Sequence, residues 1–203
     1  MNGYIEEFSN LFFDKLIDIH DTYEIIEGIM AIIRPYESSD KPIPQPEVID
    51  ALIALKLKEY LIVQLRALLC ETNKFGDSIS LKELLDIYSR KDRKDVVDLI
   101  EKFKNSNKNI LYKINLLRNK VLVHNELFLK GGEIITNNNV EETRDNISND
   151  DLKNLIIECE RLIRNLSFLC IDDGFIPDPC LGYVMPEAVK EWVLSRQTGK
   201  KRV

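Results

Sequence analysis

Histidine, cysteine, glycine and proline are all scarce in this chain, and each shortage closes off a class of protein. With two histidines in 203 residues there is no Glu-x-x-His pair for a di-iron bundle. His20, in Ile19-His20-Asp21, has no partner at ligand spacing. The four cysteines, Cys70, Cys159, Cys170 and Cys180, are far apart and form no Cys-x-x-Cys pair. That argues against a zinc site and against a disulfide-stapled secreted fold, and reads as reduced thiols packed as small hydrophobes. Eight glycines and seven prolines, with no repeat at a period of 20 to 50 residues, point to an α-rich domain. No glycine-rich loop opens a helix to cradle a phosphate, since Gly131-Gly132 falls where a helix would end. Tyrosine and phenylalanine sit at core spacing and do not alternate with basic residues, so no aromatic stacking platform is legible.

Long apolar runs are missing too. The most apolar stretch, Leu52 to Cys70, is interrupted by Lys56, Lys58, Glu59, Gln64 and Arg66, which excludes a spanning helix of about 20 apolar residues. The start of the chain has no basic region followed by an apolar core, so the expectation is a cytoplasmic protein without a secretory signal and without a membrane partner.

What is present is helical periodicity. Ile5, Phe8, Phe12, Leu16, Ile19, Tyr23, Ile26, Met30 and Ile33 recur at steps of three and four and predict a long first helix ending at Pro35. Pro42-Ile43-Pro44-Gln45-Pro46 reads as an extended connector. A second helix, Glu47 to Glu71, is apolar on most sides and is expected to be central and well covered. Ser80 and Glu83 form a capping box ahead of a short helix, Leu81 to Tyr88. Val96, Val97, Leu99, Ile100 and Phe103 mark the buried side of another, Arg93 to Lys104. The next runs from Lys108 to Lys130 and closes at Gly131-Gly132. Residues 131–148, rich in Asn, Glu and Gly, read as a polar loop with only Ile134-Ile135 as a short β-like break. Ser148 then caps a last long helix with the register Leu152, Leu155, Ile156, Cys159, Leu162, Ile163, Leu166 and Cys170. Beyond it, 171–203 reads as a turn-rich tail with a short terminal helix from Pro186. The expected fold is therefore all-α: an antiparallel bundle of four to five helices with an additional long N-terminal helix and a short C-terminal one. All of it belongs to a single domain, 1–203.

The net charge of −6 hides an uneven distribution. Between Arg90 and His124 there are ten basic residues against four acidic ones, a local net of +6 that leaves −12 for the rest. A basic surface of this kind suits phosphate-backbone binding. The same residues also suit a solvated helix face with i,i+4 ion pairs.

The basic stretch runs into Leu117-Arg118-Asn119-Lys120-Val121-Leu122-Val123-His124-Asn125-Glu126. An arginine, a polar residue after it and a histidine six positions on resemble the signature of the HEPN superfamily. Arg118-Asn119-Lys120 followed by His124-Asn125-Glu126 resembles its abortive-infection, AbiU-like branch. The resemblance extends loosely over a helical core of about 47–170 and is sharp only from Arg118 to Glu126.

It implies a metal-independent endoribonuclease of a toxin or phage-defence type, with His124 moving protons, Arg118 clamping phosphate and no cofactor. Asn119 would orient the phosphate or the histidine, and Lys113 and Lys120 would add contacts to RNA. It also implies a homodimer whose motif segments meet at one cleft, and an antitoxin or regulatory protein as a further partner. Glu126 stands where HEPN toxins paired with nucleotidyltransferase antitoxins carry a modifiable tyrosine, a departure from that pattern. The alternative from another class is a non-catalytic HEPN-type module that binds RNA, a nucleotide or a protein.

The residues allow a plainer reading beside this one. On a helix continuing to Lys130 the apolar register is Ile110, Ile114, Leu117, Val121, His124 and Phe128, so His124 would be a core histidine satisfied by one hydrogen bond. Six residues on such a helix separate Arg118 and His124 by ~120° and ~9 Å, so the two would flank a groove and not share one face.

Overall fold

The computed structural model of the chain describes residues 2–37, 44–70, 79–117, 128–130, 133–135 and 147–175. These form an all-α bundle of six helices with one small β-hairpin: α1 (Asn2–Glu37), α2 (Gln45–Cys70), α3 (Leu81–Arg90), α4 (Lys94–Ser106), α5 (Lys108–Leu117), β1 (Phe128–Lys130), β2 (Glu133–Ile135) and α6 (Asn149–Leu169). A 3-10 turn, Ile171–Asp173, follows α6. Two compact units are distinguished, one within Met1–Leu16 and Ile62–Pro179, the other within Ile17–Leu61. Among the described residues, no helix is long and apolar enough to cross a membrane.

In α1 the periodic side chains are buried as expected, except that Ile29 and Ile32 take the inward positions that Met30 was expected to fill. The helix runs through Pro35 to Glu37 instead of stopping there. A proline in a last turn costs one intrahelical hydrogen bond that fraying would weaken anyway. The start of α2 is corrected in the same direction. Gln45 and Pro46 form its first turn, where a proline's missing N–H has no helical acceptor to lose.

The expectation that α2 is central and well covered fails in its first half. Ala54 packs with Ile29 and Ile33, but Val48, Ile49, Leu52, Ile53 and Tyr60 are exposed. Its second half, with Leu61, Leu65, Leu68 and Leu69, is buried.

Helix starts are set by side-chain caps. Ser80, fully buried, accepts from the Glu83 N–H at 3.3 Å. Ser148 and Asp151 form a reciprocal capping box, each side chain bonding the other's backbone N–H at 3.0 Å. Ile147 and Leu152, flanking that box at the positions of a hydrophobic staple, are both fully buried. The entire predicted register of α6, Leu152 through Cys170, is buried. Each such aliphatic side chain contributes about 1.5–3 kcal/mol.

Two helix ends share one device. At the α3 terminus Asp92 adopts φ 53°, the Asp92 N–H donates to Ser89 and the Arg93 N–H to Tyr88. After α6, Gly174 adopts φ 84°, its N–H donates to Ile171 and the Phe175 N–H to Cys170. Both are Schellman motifs, in which a left-handed residue lets the chain recover two orphan carbonyls.

The largest departure from expectation lies after α5. Phe128–Lys130 is a strand, antiparallel to Glu133–Ile135 with Lys130 opposite Glu133, so the helix expected to reach Lys130 does not. Gly131-Gly132, expected to cap that helix, lies outside the described residues. The terminal helix expected from Pro186 lies outside the described residues.

Asp92 is the one described non-glycine residue with positive φ, a conformation that penalises a Cβ by about 1 kcal/mol. Asp92→Gly should therefore raise unfolding stability by up to about 1 kcal/mol, and Asp92→Val should lower it, as measured by urea denaturation.

Candidate functional site

Helix α5 carries the chain toward the motif, and its position is set by contacts to the end of α2. Ile114 and Leu117 are buried, the Arg66 Nε donates to the Asn115 side-chain oxygen at 3.2 Å, and the Cys70 thiol faces the Leu111 carbonyl at 3.8 Å. Of the five residues expected to form the site, Lys113 is described, half-buried on α5. Arg118, Asn119, Lys120 and His124 lie outside the described residues, between the last turn of α5 and β1. Since Phe128 is on a strand, the continuous-helix register that placed it in line with His124 no longer applies.

The start of the segment leading to the motif is held by a group of charges that the sequence did not single out. Arg93, the residue before α4, reaches Asp173 with Nη1 at 2.6 Å and the Leu169 carbonyl with Nη2 at 2.8 Å. It also grips Asp95 in a two-point fork at 3.0 and 2.8 Å. Lys91 reaches the other oxygen of Asp173 at 2.8 Å and lies 5.7 Å from the centre of the Tyr88 ring. Asp95 holds the Arg93 guanidinium above its ordinary range, and Arg93 holds the Asp95 carboxyl below its own. Both signs of charge are mixed along Lys91-Asp92-Arg93-Lys94-Asp95, which in sequence reads as ordinary mixed charge. Only the return of the chain to Asp173, about eighty residues later, makes it a joint.

Beneath this joint, burial pushes up both the Tyr88 phenol and the Cys170 thiol, which face each other. Burial also pushes up Cys159, and Cys70 to about 11, although Arg66 and Lys104 pull Cys70 the other way. These three cysteines are free thiols and stay protonated at neutral pH, which is the wrong state for nucleophiles or metal ligands. Cys180 lies outside the described residues. Among the described residues no three His, Cys, Asp or Glu side chains converge as a metal site would require.

A double-mutant cycle tests the joint. Arg93→Ala and Asp173→Ala should each cost about 1–3 kcal/mol in urea denaturation, with the double mutant costing less than their sum because they share one interaction. The cost of Arg93→Ala should shrink in acid. Asp95 has a folded pKa below its usual 3.8, so its contribution is complete above that value and is lost as pH falls through the folded one.

Compared with protein-family models, with curated proteins and with solved structures, the chain matches none.

Proposed function

We propose that the protein is a metal-independent endoribonuclease of a phage-defence or toxin type. The observation that carries this reading is the pairing of Arg118 with His124, one of two histidines in the chain, at the end of its basic stretch. His124 suits proton transfer because imidazole titrates near neutrality. Arg118 suits the phosphate because its guanidinium is permanently charged and can bind two oxygens at once.

In the proposed reaction a 2′-hydroxyl loses its proton to a base and its oxygen attacks the adjacent phosphorus. The bond from phosphorus to the 5′-oxygen breaks, and that oxygen takes a proton from an acid. The products are a 2′,3′-cyclic phosphate and a free 5′-hydroxyl. Arg118 neutralises charge that grows on the phosphoryl oxygens as five bonds form at phosphorus. Base and acid are the histidines of two protomers, so the reading includes a homodimer with His124 near the twofold axis, and RNA as the partner. Asn119, Lys113 and Lys120 hold the strand. The protein works in the cytoplasm, and an antitoxin or regulatory protein keeps it silent.

The test is incubation of the purified protein with total RNA in EDTA. Wild type should cut, and His124→Ala and Arg118→Ala should each cut ~10²-fold more slowly or worse with little change in thermal stability. An unfolded His124→Ala together with uncut RNA would return His124 to the core. Binding that weakens steeply with salt but never breaks a strand would mark the non-catalytic module instead. Light scattering should report a dimer at working concentration, and a monomer would remove the two-histidine mechanism.

A further inference from the structure

One arginine stands alone in the apolar half of α2. From Ile62 to Cys70, Arg66 is the single charged residue, half-buried in a stretch whose Ile62, Leu65, Leu68 and Leu69 are buried. Facing it on α5 is Asn115, also half-buried, with its side-chain oxygen 3.2 Å from the Arg66 Nε. Each choice is costly to the fold. A guanidinium drawn partly out of water loses hydration that an apolar residue would never miss, and asparagine is among the weaker helix formers.

A second contact fixes where this pair lies. One turn away, the Cys70 thiol faces the Leu111 carbonyl at 3.8 Å. Residues 66 and 70 on α2, and 115 and 111 on α5, are four apart in opposite senses, so the two helices run antiparallel along this seam for about one helical turn. Arg66 and Asn115 form the end of the seam nearer the motif in sequence. Asn115 is three residues before Arg118, and that length of chain cannot place the two Cα atoms farther apart than ~11 Å, whatever its conformation.

The acceptor is an amide, on a helix that contains no acidic residue. A carboxylate would make the stronger bond to a guanidinium. It would also add a negative charge close to Arg118, where a phosphate must approach. Asparagine keeps the hydrogen bond and omits that charge. A pair serving stability alone would gain from the carboxylate, so the amide fits a bond whose task is placement beside an anion site.

We propose that Arg66 is a positioning residue for the Arg118–His124 pair, acting through its hydrogen bond to Asn115. The role rests on the ribonuclease reading of that pair. Arg66 touches no reacting atom in it, and holds instead the last turn of α5, which directly precedes the motif in the chain. A misplacement of about 1 Å at a reacting centre can cost ~10²-fold in rate, so a bond that fixes this turn affects the chemistry more than its own strength suggests. The plainer role, an arginine whose stem covers apolar surface while its head reaches water, would change stability and nothing else.

The experiment takes two readouts on the full-length protein: kcat and KM for cleavage of total RNA in EDTA, and the ring signals of the two histidines by NMR, with His20→Gln identifying that of His124. Asn115→Leu and Arg66→Met should each lower kcat ~10-fold or more with KM within ~3-fold, and the double variant should lose no more than the larger single loss, since one bond is removed. Asn115→Asp should keep kcat within ~3-fold and raise KM, because the bond survives while the added charge repels phosphate. Both bond-breaking variants should move the His124 signal and leave that of His20 in place. Circular dichroism checks that each variant folds, and the Asn115 variants decide the matter should Arg66→Met fail to fold. The positioning role is overturned if the His124 signal does not respond to Asn115→Leu, or if wild type cuts RNA with a kcat indifferent to that substitution, which would leave the ribonuclease standing. A wild type that cuts no RNA while its His124 signal moves with both bond-breaking variants does the reverse.

Discussion

One carboxylate, Asp173, ties together two turns that lie about eighty residues apart in the chain. Asp173 takes Lys91 on one oxygen and Arg93 on the other, and so locks the α3–α4 turn to the turn after α6. The pairing is possible because each turn is itself fixed by a Schellman motif, at Asp92 and at Gly174. Asp173, Lys91 and Arg93 are each less than a third exposed. Their hydrogen bonds are therefore worth more than those of solvent-exposed ion pairs, which contribute little. Arg93 also reaches the Leu169 carbonyl, one of the orphan acceptors that every helix end leaves.

The consequences run down the chain. Arg93 precedes α4, α4 passes into α5 through a single residue, and α5 is seated by Ile114 and Leu117 with Arg66 and Asn115 alongside. Leu117, at the end of α5, is thus reached from the joint through two helices. On the reading proposed for Arg118 and His124, a nuclease without a metal must hold a phosphate and two proton carriers in line, and a fixed approach lowers the entropy cost of doing so.

Charge is handled differently on the two sides of that path. Around Arg93 opposite signs are interleaved and satisfy one another, while the four lysines between Lys102 and Leu117 have no acidic residue among them in sequence, and Lys104 reaches back to Glu101. The contrast separates charge used to hold the fold from charge left facing solvent. In sequence, both appear as one basic stretch.

Much of the fold was written locally. The register of α6, the serine caps at Ser80 and Ser148 and the inward face of α1 follow from side-chain chemistry within a few residues, and they appear in the structure as the sequence implies. Propensity and periodicity extend no further than an element's own length. They could not report that Phe128–Lys130 would leave a helical pattern to pair with Glu133–Ile135, because a strand is decided by its partner. Nor could they report that Val48, Ile49, Leu52 and Ile53 in the first half of α2 would be exposed, since burial depends on what else is nearby. The Arg118–His124 pair is legible as residue types at a spacing, and the sequence by itself determined that much. The joint at Asp173 exists only in three dimensions, because it brings together residues some eighty positions apart.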